Sequence, residues 1–332
     1  MEKLVSILIP AYNAERWIDQ TIRSALNQTW PNKEVIIVDD GSTDRTLEIA
    51  RKFECSFVKV VTQENRGGPA ARNKAISLAQ GELIQWLDHD DLLAPDKIEH
   101  QMRRIRGEDH ALVLLSGVFG TFYFRYQKAK FTPNRLFCDL SPVEYLLIKF
   151  SENTWVHPSV WLVSRQLTDA AGPWLDIRSP DDDGEYYCRV VAASRGIEFV
   201  AEAKSYWRVG NSGSMSKTRS STALEALFFS TVRSIEHLRS LEDSDRSRQA
   251  CIKFLEDRLL LFLPERPDLV VAAQKAALDL GGQISIPPMK WHYQFVRVLF
   301  GANKATKLAW ILRSFKGSIL SSWDKLLFTL LD

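Results

Sequence analysis

At 332 residues the chain suits two domains or one large one, and 45% hydrophobic with 25% charged residues is the balance of a folded globular protein. Disordered, collagen-like and disulfide-scaffold classes are excluded. With 43 basic and 41 acidic residues, the formal charge of +2 is too small for the broad positive field of non-specific nucleic-acid binding, so no nucleic-acid partner is expected. The four cysteines, Cys55, Cys138, Cys188 and Cys251, are scattered with no CxxC pair, which signals a reducing compartment and neither zinc nor disulfides. The apolar stretch before Pro10 is too short for a signal peptide, and no run approaches the roughly 18 apolar residues of a membrane span. A cytoplasmic protein is expected, leaning at most on the inner face of a membrane.

Residues 5–9 read as a buried strand, and Trp17, Ile18, Thr21, Ile22, Ala25 and Leu26 then recur at helical spacing. Residues 35–38 form a second strand, after which Ser42 or Thr43 caps a helix. A third strand covers 58–61. Gly67-Gly68-Pro69 places a proline in the first turn of a helix that Gly81 ends, ahead of a fourth strand at 83–87. Strand and helix in alternation predict an α/β fold with a mostly parallel sheet, whose ligands gather beyond the carboxyl ends of the strands. Farther on, helices are expected at 95–106 and 142–150 and strands at 113–124 and 155–163. From Thr222 the pattern is almost wholly helical, with the charged stretch 242–248 between two pieces. The division expected is a sheet-bearing domain over 1–215 and a helical extension over 216–332. In that extension Leu308, Ile311, Leu312, Phe315, Ile319, Trp323, Leu326, Leu327 and Leu330 make one stripe flanked by Lys307, Lys316 and Lys325. Such a basic amphipathic helix packs on its own domain, on a second copy in a homodimer, or in a membrane interface.

Three acidic groups stand out. Asp39-Asp40 follows the second strand and Asp88-His89-Asp90-Asp91 the fourth, so both fall at one edge of the sheet. Carboxylates one residue apart there can hold a hard divalent cation through oxygen, and Mg²⁺ takes one or two carboxylates together with substrate phosphates. Asp-Gly is also turn chemistry, which leaves Asp39-Asp40 open between the two roles. Four titratable groups in a row at 88–91 require compensating charge. A calcium loop is excluded, because Leu93 occupies the position where the sharp turn needs glycine. The third group, Asp181-Asp182-Asp183-Gly184-Glu185, precedes a helical run, whose dipole one or two carboxylates satisfy. A further carboxylate there is able to accept a proton from a substrate hydroxyl.

Ile9-Pro10-Ala11-Tyr12-Asn13, Val38 to Asp44, Gly67-Gly68-Pro69-Ala70-Ala71-Arg72-Asn73, Leu87 to Asp91 and Asp182 to Tyr186, in that order and spacing, resemble the family 2 inverting glycosyltransferases of the GT-A fold over residues 3–210. The resemblance implies that Pro10, Ala11 and Tyr12 line the nucleotide pocket and that Asp39 hydrogen-bonds the nucleobase. It implies Asp88 and Asp90 as the DxD pair, with Asp90 on the metal and Asp88 near the ribose or metal shell. It further implies that Arg72 buttresses that loop or the phosphates and that Asp183 is the general base. Residues 1–95 would then be the nucleotide half and 96–215 the acceptor half. The implied cofactor is Mg²⁺ or Mn²⁺, the donor a nucleoside-diphosphate sugar, with UDP commonest in the family, and the acceptor a glycan or lipid-linked hydroxyl. The family often has a histidine after the base motif, but this stretch reads Tyr206-Trp207-Arg208-Val209-Gly210-Asn211. The Gly- and Ser-rich tract 210–216, with Lys217 and Arg219, reads either as a lid over the diphosphate or as a linker. Trp174, His157 and Asp182 are the acceptor-side candidates. Competing classes are a sugar nucleotidyltransferase, which needs a Gly-rich basic loop after the first strand where Pro10-Ala11-Tyr12 stands, and a non-catalytic nucleotide-sugar-binding protein.

Overall fold

A computed structural model describes residues 2–105, 112–210 and 218–286, together with 324, 325 and 328. Strand β1 (Val5–Ala11) is an unbroken apolar run apart from Ser6, and it is buried along its whole length, as a central strand covered on both faces must be. Helix α1 (Ile18–Leu26) leads to β2 (Lys33–Asp39), α2 (Thr46–Arg51) to β3 (Val58–Thr62), and α3 (Gly68–Leu78) to β4 (Leu83–Trp86). These four strands pair in parallel in the order β3-β2-β1-β4, the arrangement expected from the alternation. Register brings Ala11, Asp39 and Thr62 level at the carboxyl edge, and the chain leaves β4 at the same edge through Asp88.

The next stretch departs more from expectation. After β5 (Leu92–Leu93) and α4 (Lys97–Met102), β6 (Val113–Phe122) forms as expected, followed by the two-residue β7 (Lys130–Phe131). Helix α5 (Pro142–Ser151) starts at Ser141, whose hydroxyl accepts from the Glu144 N–H. The strand expected over 155–163 is largely absent. His157 caps a 3-10 turn at Pro158–Val160, where proline supplies no ladder donor. Only β8 (Val163–Ser164) joins the main sheet, antiparallel to β4. Helix α6 (Arg165–Ala171) and helix α7 (Asp182–Ala193) precede β9 (Gly196–Arg208), a 13-residue strand with no clean alternation of burial, parallel to β6 in a second sheet of order β5-β9-β6-β7.

The last described elements are helices, as expected: α8 (Ser221–Leu241), α9 (Asp245–Glu256), α10 (Leu259–Phe262) and α11 (Pro267–Asp279). The charged 242–248 stretch holds the break, with a capping box at Ser244 and Ser247. These helices share a core with α5 and α7, where Phe150 stacks on Phe254 at 4.1 Å. No described helix is long and apolar enough to cross a membrane. Both the 211–217 tract and all nine residues of the C-terminal stripe lie outside the described residues. Of that segment, Asp324 pairs with Arg125 at 2.7 Å and Phe328 lies 5.9 Å from Phe124.

Candidate active site

The chain segments leaving β1, β2 and β4 meet the starts of α3 and α7 around one cleft of about 990 Å³. Pro10, Ala11, Tyr12, Arg72, Asp88, Asp90, His157, Asp182 and Asp183 all line it, although they come from five separate stretches of chain. Tyr12, 43% exposed, leaves its ring free at the rim. Asp39 sits behind the lining with 1% exposure. Its Oδ2 accepts from Thr62 Oγ1 at 3.0 Å and from the Ser42 N–H at 3.3 Å, while its Oδ1 is buried with no partner. Neighbouring Asp40 takes the turn-forming role that Asp-Gly suggested. It accepts from Gln63 Nε2 and from the backbone N–H groups of Arg66 and Gly67, which fastens the start of α3 to the end of β2. Gly67 has φ +94°, and a Cβ there would stand 3.1 Å from Arg178 Nε, so only glycine fits this bend.

Arg72, on the first turns of α3, joins the two distant carboxylate groups. Its Nη1 donates to Asp182 Oδ2 at 3.0 Å and its Nη2 to Asp88 Oδ1 at 3.1 Å. Burial works against the guanidinium charge, yet Asp182, Asp88 and Asp183 together hold it more firmly protonated than usual. For Asp88, burial pushes its carboxyl up, but Arg72 foremost, with His157 and His89, pulls it down further, leaving a net downward shift. Asp183 is placed by the first turn of α7, where its own N–H donates to Asp182 Oδ1 at 2.9 Å. Among the described residues its carboxylate accepts no hydrogen bond. Burial, then the charges of Asp182 and Asp181, push it up to about 7, which is where a general base is most useful at neutral pH.

Trp174 does not offer a face to an acceptor, contrary to expectation. It is 2% exposed, stacked on Tyr186 at 3.9 Å and edge-on to Trp86 at 5.4 Å, with the Arg72 guanidinium 4.5 Å above the ring. It is thus a packing support for Arg72, whose flat cation rests on the indole.

At the strand-end loop, ligand atoms of Asp88, Asp91 and His157 lie within 4.8 Å of one another. His157 Nε2 is 3.1 Å from Asp91 Oδ2 and 3.9 Å from Asp88 Oδ2, and its Nδ1 bonds Ser159 Oγ at 2.8 Å. Burial lowers His157 to about 4, so the ring is neutral. Burial and the charges of Asp90 and Asp88 push Asp91 well up, and its Oδ2 is buried without a hydrogen bond. The carboxylate oxygens of this group suit Mg²⁺ or Mn²⁺, whereas the imidazole is a donor that softer ions such as zinc or iron prefer. Asp90 lines the same cleft from the same loop.

Sequence reasoning missed Asp91, read only as one of a run, and Arg208, noted only for the histidine it follows in place of. Arg208 arrives on β9, donates Nε to the Asp90 carbonyl at 2.7 Å and its backbone N–H to Asp91 Oδ1 at 2.7 Å, and covers Trp17 at 3.8 Å. No spacing signal precedes it, since β9 itself was not legible.

Residues 6–167 match the profile of glycosyl transferase family 2. The chain is 31% identical over 238 residues to Glycosyltransferase GlyG of Streptococcus pneumoniae, a match covering 66% of this chain and 74% of GlyG. The chain belongs to glycosyl transferase family 2. It is a glycosyltransferase. It is also 44% identical over 102 residues, 30% of its length, to the putative teichuronic acid biosynthesis glycosyltransferase TuaG of Bacillus subtilis, and that match spans 40% of TuaG. Several curated relatives of this glycosyltransferase are matched over less than half their own length. Among solved structures, S. aureus TarS 1-349 in complex with UDP-GlcNAc superposes with a TM-score of 0.66 at 19% identity, over 83% of this chain and 81% of that one. The fold of the glycosyltransferase is accordingly GT-A.

Proposed function

We propose that this glycosyltransferase moves a sugar from a nucleoside-diphosphate sugar, UDP-linked in the first instance, to an acceptor hydroxyl by a single displacement with inversion. The observation that carries the reading is the Arg72 fork, which ties Asp88 at the strand edge to Asp182 beside Asp183 within one cleft. Tyr12 and the Pro10-Ala11 segment form the nucleotide wall, and the orphaned Asp39 Oδ1 awaits a donor such as a nucleobase N–H. Asp88 and Asp90 would hold Mg²⁺ or Mn²⁺, with Asp91 and His157 beside them. When bound, such an ion supplies positive charge opposite the departing diphosphate.

Asp183 takes the acceptor hydroxyl's proton as that oxygen attacks the anomeric carbon from the face opposite the leaving group. Arg72 holds Asp88 ionised and fixes Asp182 by a direct ion pair, although burial still pushes the Asp182 carboxyl up, and Asp183 is the one of the three whose carboxylate accepts no hydrogen bond from the described residues. The acceptor is a glycan or lipid-linked glycan of the cell surface, and the enzyme works on the cytoplasmic side. The names of GlyG and TuaG, and the UDP-GlcNAc bound to TarS, support donor type and setting. A panel of nucleotide sugars tested for transfer or hydrolysis with Mg²⁺ or Mn²⁺ is the test. Turnover by wild type, lost in Asp90→Ala and Asp183→Asn, is expected. Equal inertness of all three, with no nucleotide bound, would leave a binding protein instead.

A further inference from the structure

The cleft continues past the three aspartates. Pro180, Asp181 and Thr218 line both the main cleft and a second cavity of about 230 Å³ that reaches between α8 and the residues after α9. Two buried cations flank Asp181 there. Arg258, 7% exposed, donates Nη2 to Asp181 Oδ2 at 2.8 Å and lies 3.4 Å over the Phe254 ring, while its Nε is buried with no hydrogen-bond partner. Gly184 allows this arrangement, since a Cβ there would overlap the Asp181 carboxylate. Lys149, near the end of α5 and 8% exposed, lines the main cleft close enough to Asp181 and Cys188 to act on their charges. Among the described residues its ammonium makes no hydrogen bond or ion pair.

The surrounding carboxylates are already engaged: Asp181 by Arg258, Asp182 by Arg72 and Asp257 by Lys253. Lys149 is therefore a largely buried side chain whose ammonium reaches the cleft and is engaged by no carboxylate among the described residues, so an anionic ligand entering the cleft can pair with it. An ammonium group suits phosphate or carboxylate oxygens as a compact point charge. The side matters too. Asp182 faces Arg72 and the strand-edge carboxylates, whereas Asp181 faces Lys149 and Arg258, so these cations lie across the start of α7 from the donor's DxD loop.

We propose that Lys149 and Arg258, beside Asp181, form an anion subsite for the acceptor: the glycan presenting its hydroxyl to Asp183 carries a phosphate or carboxylate nearby. The inference rests on Asp183 as the base and names the class of acceptor that this base serves.

Glucose, glucose 6-phosphate and glucuronate present one ring with a neutral, phosphate or carboxylate group. Each is titrated into the full chain by ligand-observed NMR, with and without UDP and Mn²⁺. Anionic sugars are expected to bind about tenfold more tightly than glucose, the scale of one charge-assisted hydrogen bond. The two anionic arms then show which group is preferred. Lys149→Gln should erase the preference, Lys149→Arg should keep it, and UDP affinity should hold in both. If the Gln variant does not melt cooperatively, Lys149→Met takes its place. Equal binding of the three sugars, or a preference that survives Lys149→Gln, overturns the proposal. So does loss of UDP affinity in Lys149→Gln, which would assign the ammonium to the donor's diphosphate. Failure of wild type to bind UDP strikes the donor reading instead, and the anion preference measured without UDP still decides this one.

Discussion

Replacing Asp183 with asparagine keeps the shape of the side chain and removes its ability to take a proton. Its carboxylate accepts no hydrogen bond from the described residues, so the substitution breaks none, and the expected loss is chemical. General-base catalysis contributes roughly 10²- to 10⁴-fold, or about 3–5 kcal/mol of transition-state stabilisation. Wild-type turnover should rise with pH and level off above about 7, because only ionised Asp183 accepts a proton. At pH 6 about a tenth of the enzyme is competent. In Asp183→Asn this limb should vanish along with the activity. Stability should move the other way. The folded chain holds to about 7 a proton that an unfolded aspartate releases near 3.8, so ionising Asp183 destabilises the fold as pH rises between those values. Asparagine cannot ionise, and the variant should gain up to about 4 kcal/mol over wild type at pH 8 and nothing at pH 4. Release of nucleoside diphosphate from the donor, followed from pH 5 to 9, gives the first result, and urea melts at the two pH values give the second. A variant within threefold of wild-type rate, or one that keeps the acidic limb, would refute the assignment of the base.

Arg72→Met should destabilise the fold by about 3–5 kcal/mol in urea titrations, because Asp88 and Asp182 are left buried without their partner. Arg72→Lys, which cannot bridge both carboxylates, should recover only part of this. Mn²⁺ affinity, read from the free-ion signal in electron paramagnetic resonance, should fall at least about tenfold in Asp88→Asn or Asp90→Asn, the loss of one charged ligand. Asp39→Asn should leave it unchanged. Trp174→Ala should cost about 3–5 kcal/mol by emptying a packed aromatic site. Trp174→Phe should fold nearly as well as wild type and leave acceptor KM where it is, an outcome that an acceptor platform would not allow.

The amino-acid order alone determines the parallel half of the fold. Strands such as β1 and β2 are short apolar runs buried on both faces, and helix α3 carries its own start at Gly67-Gly68-Pro69 and ends ahead of Gly81, so local chemistry suffices. Because successive parallel strands end at one edge, Asp39-Asp40 and Asp88 to Asp91 had to fall together, and the candidate nucleotide wall was legible for the same reason. Strand β9 was not, since its alternation is masked by Glu198, Glu202 and Lys204 and it pairs with β6 some 80 residues away. What only tertiary structure decides is which polar groups are already satisfied. Asp40 is consumed by the α3 turn, Trp174 is closed in by Tyr186, and His157 lies against Asp88 and Asp91. Each depends on a neighbour far along the chain, and a side chain's free valence is set by who stands next to it in space.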